Sequence, residues 1–169
     1  MDKTELRSRL AQHHSETFGW ALNCCSGEPS LAEDVLQIAY LKVLDGRATF
    51  AAKSEFKTWL FGVVRNTALD EHRRQRLRRI GLLRFTPDPT PPPTPEIAAQ
   101  RSEARQHLQN LLQKLPTRQR EVLHLVFYQD FTIAAAATVM GVSLGSARKH
   151  YARGKQRLRT QLQPDHDDT

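Results

Sequence analysis

The chain is poor in cysteine, with two in 169 residues, the neighbours Cys24 and Cys25. A vicinal pair closes a disulfide only through a strained turn, so no disulfide framework is available. A reducing compartment follows, and the expected location is the cytoplasm. Long apolar runs are also missing. None approaches the roughly 20 residues of a spanning helix, and Met1-Asp2-Lys3-Thr4-Glu5 does not read as a signal peptide, so no membrane insertion is expected. Alternating β-branched residues are few, which argues against strands. No nucleophile triad, phosphate-cradling glycine loop or paired-carboxylate site stands out, so neither catalysis nor a cofactor is expected. His13, His14, Cys24 and Cys25 are metal ligands by type. Their spacing matches no strong zinc pattern, and they read as helix-face histidines and partly buried thiols, with no metal.

What is present is positive charge. The formal net charge is +7 and the sequence pI about 9.8. The charge is clustered, which favours an acidic macromolecule such as nucleic acid over simple solubility. Prolines are clustered too. Pro87, Pro89, Pro91, Pro92, Pro93 and Pro95 cannot lie in a helix or a central strand and read as an extended tether. The pattern on either side is helical. The expectation is an all-α chain of two small helical domains: residues 1–80, a proline-rich linker 81–96, a second domain 97–163, and an acidic tail 164–169.

In the first domain Leu6, Leu10, His13, His14, Phe18 and Leu22 suggest one opening helix. A second helix begins near Leu31 and ends at Gly46, with Ala32, Leu36, Ala39, Tyr40 and Val43 inward. Its opposite face carries Asp34, Gln37, Ile38 and Leu41 at i, i+3, i+4 and i+7. Two apolar residues facing outward are either scattered surface residues or a docking patch. A third helix runs from Phe56 or Lys57 to about Arg79, with Leu60, Val63, Val64 and Thr67 inward and Trp59, Asn66, Asp70 and Arg73 on a second face. Its end is basic: Arg73, Arg74, Arg76, Arg78 and Arg79. Beside Phe50, Phe56, Trp59 and Phe61, this is the mixture a single-strand binder needs.

In the second domain Ile97, Arg101, Ala104, Leu108, Leu111 and Leu115 form a heptad-like helix. Pro116 breaks it, and Thr117 caps a helix holding Val122, Leu123, Val126 and Phe127. From Asp130 to Arg159 the layout is a helix-turn-helix. An alanine-rich helix opens at Asp130-Phe131-Thr132. Gly141 suits a left-handed C′ position, and Ser143 suits the next N-cap. The second helix turns Leu144, Ala147, Tyr151, Leu158 and Leu162 inward. Arg148, Lys149, Ala152, Arg153, Lys155 and Gln156 face out, as in a major-groove reading helix. A freestanding helix-turn-helix repressor would account for this half alone. It would leave residues 50–76 unexplained and would usually require a dimer, for which no long coiled-coil heptad is present.

Four blocks in order resemble the extracytoplasmic-function sigma factors of bacterial RNA polymerase. Ala32-Glu33-Asp34-Val35-Leu36-Gln37 with Tyr40-Leu41-Lys42-Val43-Leu44 is similar to their polymerase-docking helix. Phe56-Lys57-Thr58-Trp59-Leu60 with Arg65-Asn66-Thr67-Ala68-Leu69-Asp70 and Arg73-Arg74 is similar to their promoter-melting helix. Leu112-Gln113-Lys114-Leu115-Pro116 with Arg120-Glu121-Val122-Leu123 resembles the start of their fourth domain. Val142 through Arg148 and Arg153 through Leu158 resemble their DNA-reading helix. The chain departs from the pattern at Ile38, where an acidic residue is usual. It departs again at Ala134–Ala137, where Glu-Ile-Ala is usual, and at Ser146-Ala147, which replaces Thr-Val.

The resemblance implies partners and site residues. Asp34, Gln37, Ile38 and Leu41 would bind core RNA polymerase. Phe50, Trp59, Arg65, Asn66, Arg73, Arg74 and Arg76 would handle the melted minus-ten strand, with Phe50 and Asn66 receiving a flipped base. Phe50 as a core residue and Asn66 as a plain surface amide is the simpler alternative. Ser146, Arg148, Lys149, Ala152, Arg153 and Lys155 would read the minus-thirty-five duplex. An anti-sigma protein is the expected regulator.

Overall fold

The computed structural model describes residues 1–81 and 103–163. The linker beyond Gly81, the helix positions Ile97 and Arg101, and the tail 164–169 lie outside the described residues. The chain divides into two compact units, Met1–Pro93 and Thr94–Thr169. The described secondary structure is helical throughout.

The N-terminal unit holds α1 (Lys3–Gln12), α2 (His14–Cys24), α3 (Pro29–Leu44) and α4 (Phe56–Gly81). Asp2 caps α1 by accepting from the Thr4 and Glu5 amides. The single opening helix expected from sequence is two. The break falls at His13, whose φ of −96° and ψ of 6° leave the helical region. The Thr17 hydroxyl lies 2.9 Å from the His13 carbonyl and 3.0 Å from that of His14. Back-bonding of this kind bends helices, and periodicity does not register it. The second helix of the sequence reading starts two residues early because Pro29 takes its first turn, where a missing N–H costs nothing.

α2, α3 and α4 pack on one another around fully buried Trp20, Ala21, Val35, Leu60, Phe61 and Val64. Trp20 stacks on Phe61 at 5.9 Å between ring centroids and donates its Nε1–H to the Phe61 carbonyl at 3.0 Å. A second cluster joins Leu10, Val43, Phe56 and Leu60, with Phe50 and Trp59 packed against it. Tyr40, read as core, is only half buried. Its hydroxyl reaches Thr17 at 2.7 Å and His14 at 3.2 Å, so its ring packs while its polar end stays paired.

The C-terminal unit holds α5 (Glu103–Gln113), α6 (Thr117–Leu123), a π-helical turn (His124–Tyr128), α7 (Ile133–Met140) and α8 (Leu144–Leu162). Pro116, not Thr117, sits at the N-cap of α6, and Thr117 is its first helical residue. The wide π turn shifts the register of the residues after it. Leu125 stays buried, whereas Phe127, expected on the same helix as Val122 and Leu123, lies past the turn and is 56% exposed.

The helix-turn-helix ends are built as the sequence suggests. Thr132 accepts from the Ala135 amide at 3.1 Å. Gly141 adopts φ 65°, and the amides of Gly141 and Val142 return to the Thr138 and Ala137 carbonyls, a Schellman closure. Ser143 accepts from the Ser146 amide at 3.1 Å and opens α8. The inward stripe of α8 differs from the expected one. Leu144 and Leu162 are largely exposed, while Gly154 is buried. A Cβ there would stand 3.0 Å from Leu123 Cδ1 and 3.2 Å from Gln119 Cβ, so glycine lets α8 close onto α6. A search for apolar side chains passes over a position whose contribution is the lack of one.

Candidate nucleic-acid and protein-docking interfaces

Three surfaces carry the residues singled out from sequence. On α3, the inward Val35, Leu36, Ala39 and Val43 leave Asp34, Gln37 and Leu41 exposed and Ile38 half buried. Leu41 is 57% exposed, a large apolar residue without cover in its own unit. Ile38 and Leu41 do more than share a helix face. With Leu77 of α4 they wall a groove of about 450 Å³ whose rim includes Lys42, Arg47, Asp70, Arg73 and Arg74. Lys42 Nζ crosses it, 3.3 Å from Thr67 Oγ1 and 3.5 Å from Asp70 Oδ2. At its edge, hydrogen bonding from Arg47 holds the Asp45 carboxyl below the usual carboxylate range.

α4 carries the second surface. Its buried register, Leu60, Phe61, Val64, Thr67 and Ala68, fixes the opposite side as the outward face. Asn66 and Arg73 lie there, exposed, with Leu69, Leu77 and Ile80. Arg74 and Arg76 flank them and are also exposed. Arg73 approaches Asp70 at 3.8 Å and Arg74 approaches Glu71 at 3.3 Å. The Arg73–Asp70 pair is exposed on both sides and therefore weak. Phe50 and Trp59 are half buried. They pack on each other at 5.4 Å and on Phe56 at 5.5 and 5.4 Å. Each therefore has one side in the core and some surface left.

Arg65 is a correction. Sequence places it beside Asn66 on the strand-handling surface, yet it is only 7% exposed. It falls four residues after Phe61 and three before Ala68, on the core side of the helix, where a long aliphatic stem packs well. It does not share the outward face of Asn66.

The third surface is the front of α8. Arg148, Lys149, Ala152, Arg153 and Gln156 are exposed. Behind them Ala147, Tyr151, Gly154 and Leu158 seat the helix. Lys155 leans over the Tyr151 ring, its Nζ 5.1 Å from the centroid, and Tyr151 stacks on Phe127 at 6.0 Å. Ser146 belongs to the cap: its hydroxyl lies 3.0 Å from that of Ser143. Arg157, not singled out from sequence, lines a shallow basin with Arg153 toward the helix end. The signal was available in the four-residue step from Arg153 to Arg157.

Among the described residues no three His, Cys, Asp or Glu side chains gather to hold a metal ion, and no helix is long and apolar enough to cross a membrane. His13 reaches Glu16 at 3.1 Å. Burial pushes the Cys25 thiol up to about 12, far from the thiolate form.

Comparison with known proteins agrees with this division. Residues 10–78 match the family model for sigma-70 region 2, and residues 105–158 match that for sigma-70, region 4. The chain is 29% identical over 133 residues to the RNA polymerase sigma factor CarQ of Myxococcus xanthus, spanning 79% of this chain and 75% of CarQ. It is 24% identical over 140 residues to the ECF RNA polymerase sigma factor SigW of Bacillus subtilis, spanning 78% of this chain and 75% of SigW. In fold it is similar to the sigma factor RpoE from Bartonella quintana, solved in complex with the anti-sigma factor NepR. That match has a TM-score of 0.72 and 23% identity, covering 96% of this chain and 99% of RpoE. The ordered pair of region 2 and region 4, on two helical units with exposed basic faces, places the chain in the sigma-70 family as an extracytoplasmic-function sigma factor, a transcription initiation factor that joins core RNA polymerase and directs it to promoters.

Proposed function

We propose that the three surfaces divide the work of initiation between residues 1–80 and 97–163. The α3 face of Asp34, Gln37, Ile38 and Leu41 docks on the polymerase clamp coiled coil, with the groove at its side. Asn66, Arg73, Arg74 and Arg76 of α4 handle the melted minus-ten strand, and the free edges of Phe50 and Trp59 offer a wall for an unstacked base. Arg65, being buried, is left out of the strand contacts and supports the helix from behind. The front of α8 reads the minus-thirty-five duplex: Arg148 and Arg153 suit guanine edges, while Lys149 and Lys155 suit phosphates. An anti-sigma protein covers the α3 face and so blocks polymerase. That RpoE, similar in fold, was solved with an anti-sigma factor supports a partner of this kind.

The observation that carries the reading is the built turn at Gly141–Ser143, which fixes α8 with its packed side in and its basic side out. The test is transcription by core polymerase loaded with this protein on a randomised promoter library, with start sites sequenced. The wild-type protein should select an upstream and a downstream element. Arg148→Ala should relax only the upstream one, at a cost of roughly 1–3 kcal/mol. An unchanged upstream preference in Arg148→Ala would reject the assignment of α8.

A further inference from the structure

The outward face of α4 carries three large apolar side chains, of which the division of labour above uses only Leu77, as a wall of the groove. Leu69 is 42% exposed, Leu77 63% and Ile80 77%. They are not scattered. At 100° per residue, Asn66, Leu69, Arg73, Leu77 and Ile80 fall on one stripe opposite the buried Phe61, Val64 and Ala68. At about 1.5 Å rise per residue, the stripe from Asn66 to Ile80 is roughly 21 Å long. That is about six base steps at the ~3.4 Å spacing of one strand.

We propose that this stripe reads thymine methyl groups, so that Leu69 and Ile80 are specificity residues for a thymine-containing minus-ten element. The inference rests on the proposal that α4 faces promoter DNA. Charge favours DNA as the occupant: residues 66–81 contain five arginines against the two acids Asp70 and Glu71. The order along the stripe also separates DNA from a lipid surface. A membrane-seated helix keeps its apolar strip unbroken, with cations at its margins. Here Arg73 interrupts the strip between Leu69 and Leu77, as a phosphate contact between base contacts would. The C5-methyl of thymine is the apolar group that base edges offer, and leucine or isoleucine is the matching side chain.

Replacing thymine by uracil removes that methyl and nothing else. Holoenzyme binding should be measured on promoters carrying single thymine-to-uracil changes across the non-template minus-ten element. The wild-type protein should lose about three- to fourfold at one or two positions, the effect of one methyl group left in water. Leu69→Ala or Ile80→Ala should lose as much on the thymine promoter and nothing further at its own uracil position. Alanine at these exposed helix positions keeps the fold, which unfolding midpoints check. Arg73→Ala should lose equally on both templates, with a shallower salt dependence.

Indifference of the wild-type holoenzyme to uracil overturns the proposal. So do equal losses by Leu69→Ala and Ile80→Ala on both templates. Co-sedimentation with phosphatidylglycerol vesicles that depends on Leu77 and Ile80, without any uracil effect, reassigns the stripe to a membrane. If Asn66→Ala and Arg73→Ala are silent as well, the α4 face is not the DNA surface, and the underlying reading fails with it.

Discussion

The two units solve the same task, holding a polar face toward a ligand, by different means. The N-terminal unit relies on bulk. Trp20, Leu60 and Phe61 are fully buried where three long helices meet, and any face not turned inward is available for work. The C-terminal unit relies on ends. Apart from α8 its helices have 11 residues or fewer, and its core is mostly leucine, valine and alanine. Orientation comes from a threonine cap, a left-handed glycine, a serine cap and one wide turn. It also buries the polar side chains of Gln119 and Arg120. A large core tolerates surface change; a fold held by its ends is sensitive to single atoms.

The sharpest way to break this contrast is to remove the largest core residue. Trp20→Ala should cost the N-terminal unit about 3–5 kcal/mol, the usual range for an aromatic truncation. Urea unfolding followed by residue-specific probes should show the C-terminal unit melting where it did before. A shift of both transitions together would show that the units are not independent.

Adding atoms should hurt the other unit. Gly154→Val places a branched side chain against Leu123 and Gln119, and overpacking of this kind costs about 1–3 kcal/mol. Because the seat of α8 changes, duplex binding at the upstream element should weaken beyond what the stability loss predicts, while core-polymerase binding stays put. Loss of polymerase binding to the same degree would count against separate duties for the units.

The gentlest difference vanishes at neutral pH. Burial, with the nearby Arg120 charge, lowers His124 to about 4 from its ordinary 6.5, while its ring stacks on Tyr128 and meets Gln129. Between those values the unfolded chain binds the proton and the folded unit does not. The C-terminal unit should therefore hold its full stability above about pH 6.5 and lose it progressively as pH falls toward 4. His124→Gln should flatten that slope. An identical pH profile in wild type and variant would remove His124 as its source.

The same contrast explains what could be read from sequence. Gly141 and Ser143 were legible because turn chemistry is local: a left-handed position calls for glycine, and an open N-terminus calls for a hydroxyl. The outward face of α3 was legible from spacing alone. Arg65 was not, because the resemblance assigned it while helix spacing did not: one residue from Asn66 along a helix is a turn of 100°. Gly154 and the π turn were not either. The first acts by absence, and the second inserts a register shift with no sequence marker. The groove between α3 and α4 needed the tertiary structure, since its walls are more than thirty residues apart in the chain.

That groove and the α4 stripe share two walls, Arg73 and Leu77. Two ligands that touch the same side chains are thermodynamically linked. If an occupant of the groove changes the affinity for DNA on the proposed stripe by some factor, DNA there must change the affinity for that occupant by the same factor. For an initiation factor this is bookkeeping of sequence in time. On the assignments proposed above, a protein seated against α3 would set how firmly the promoter is gripped, and a gripped promoter would set how readily that protein lets go.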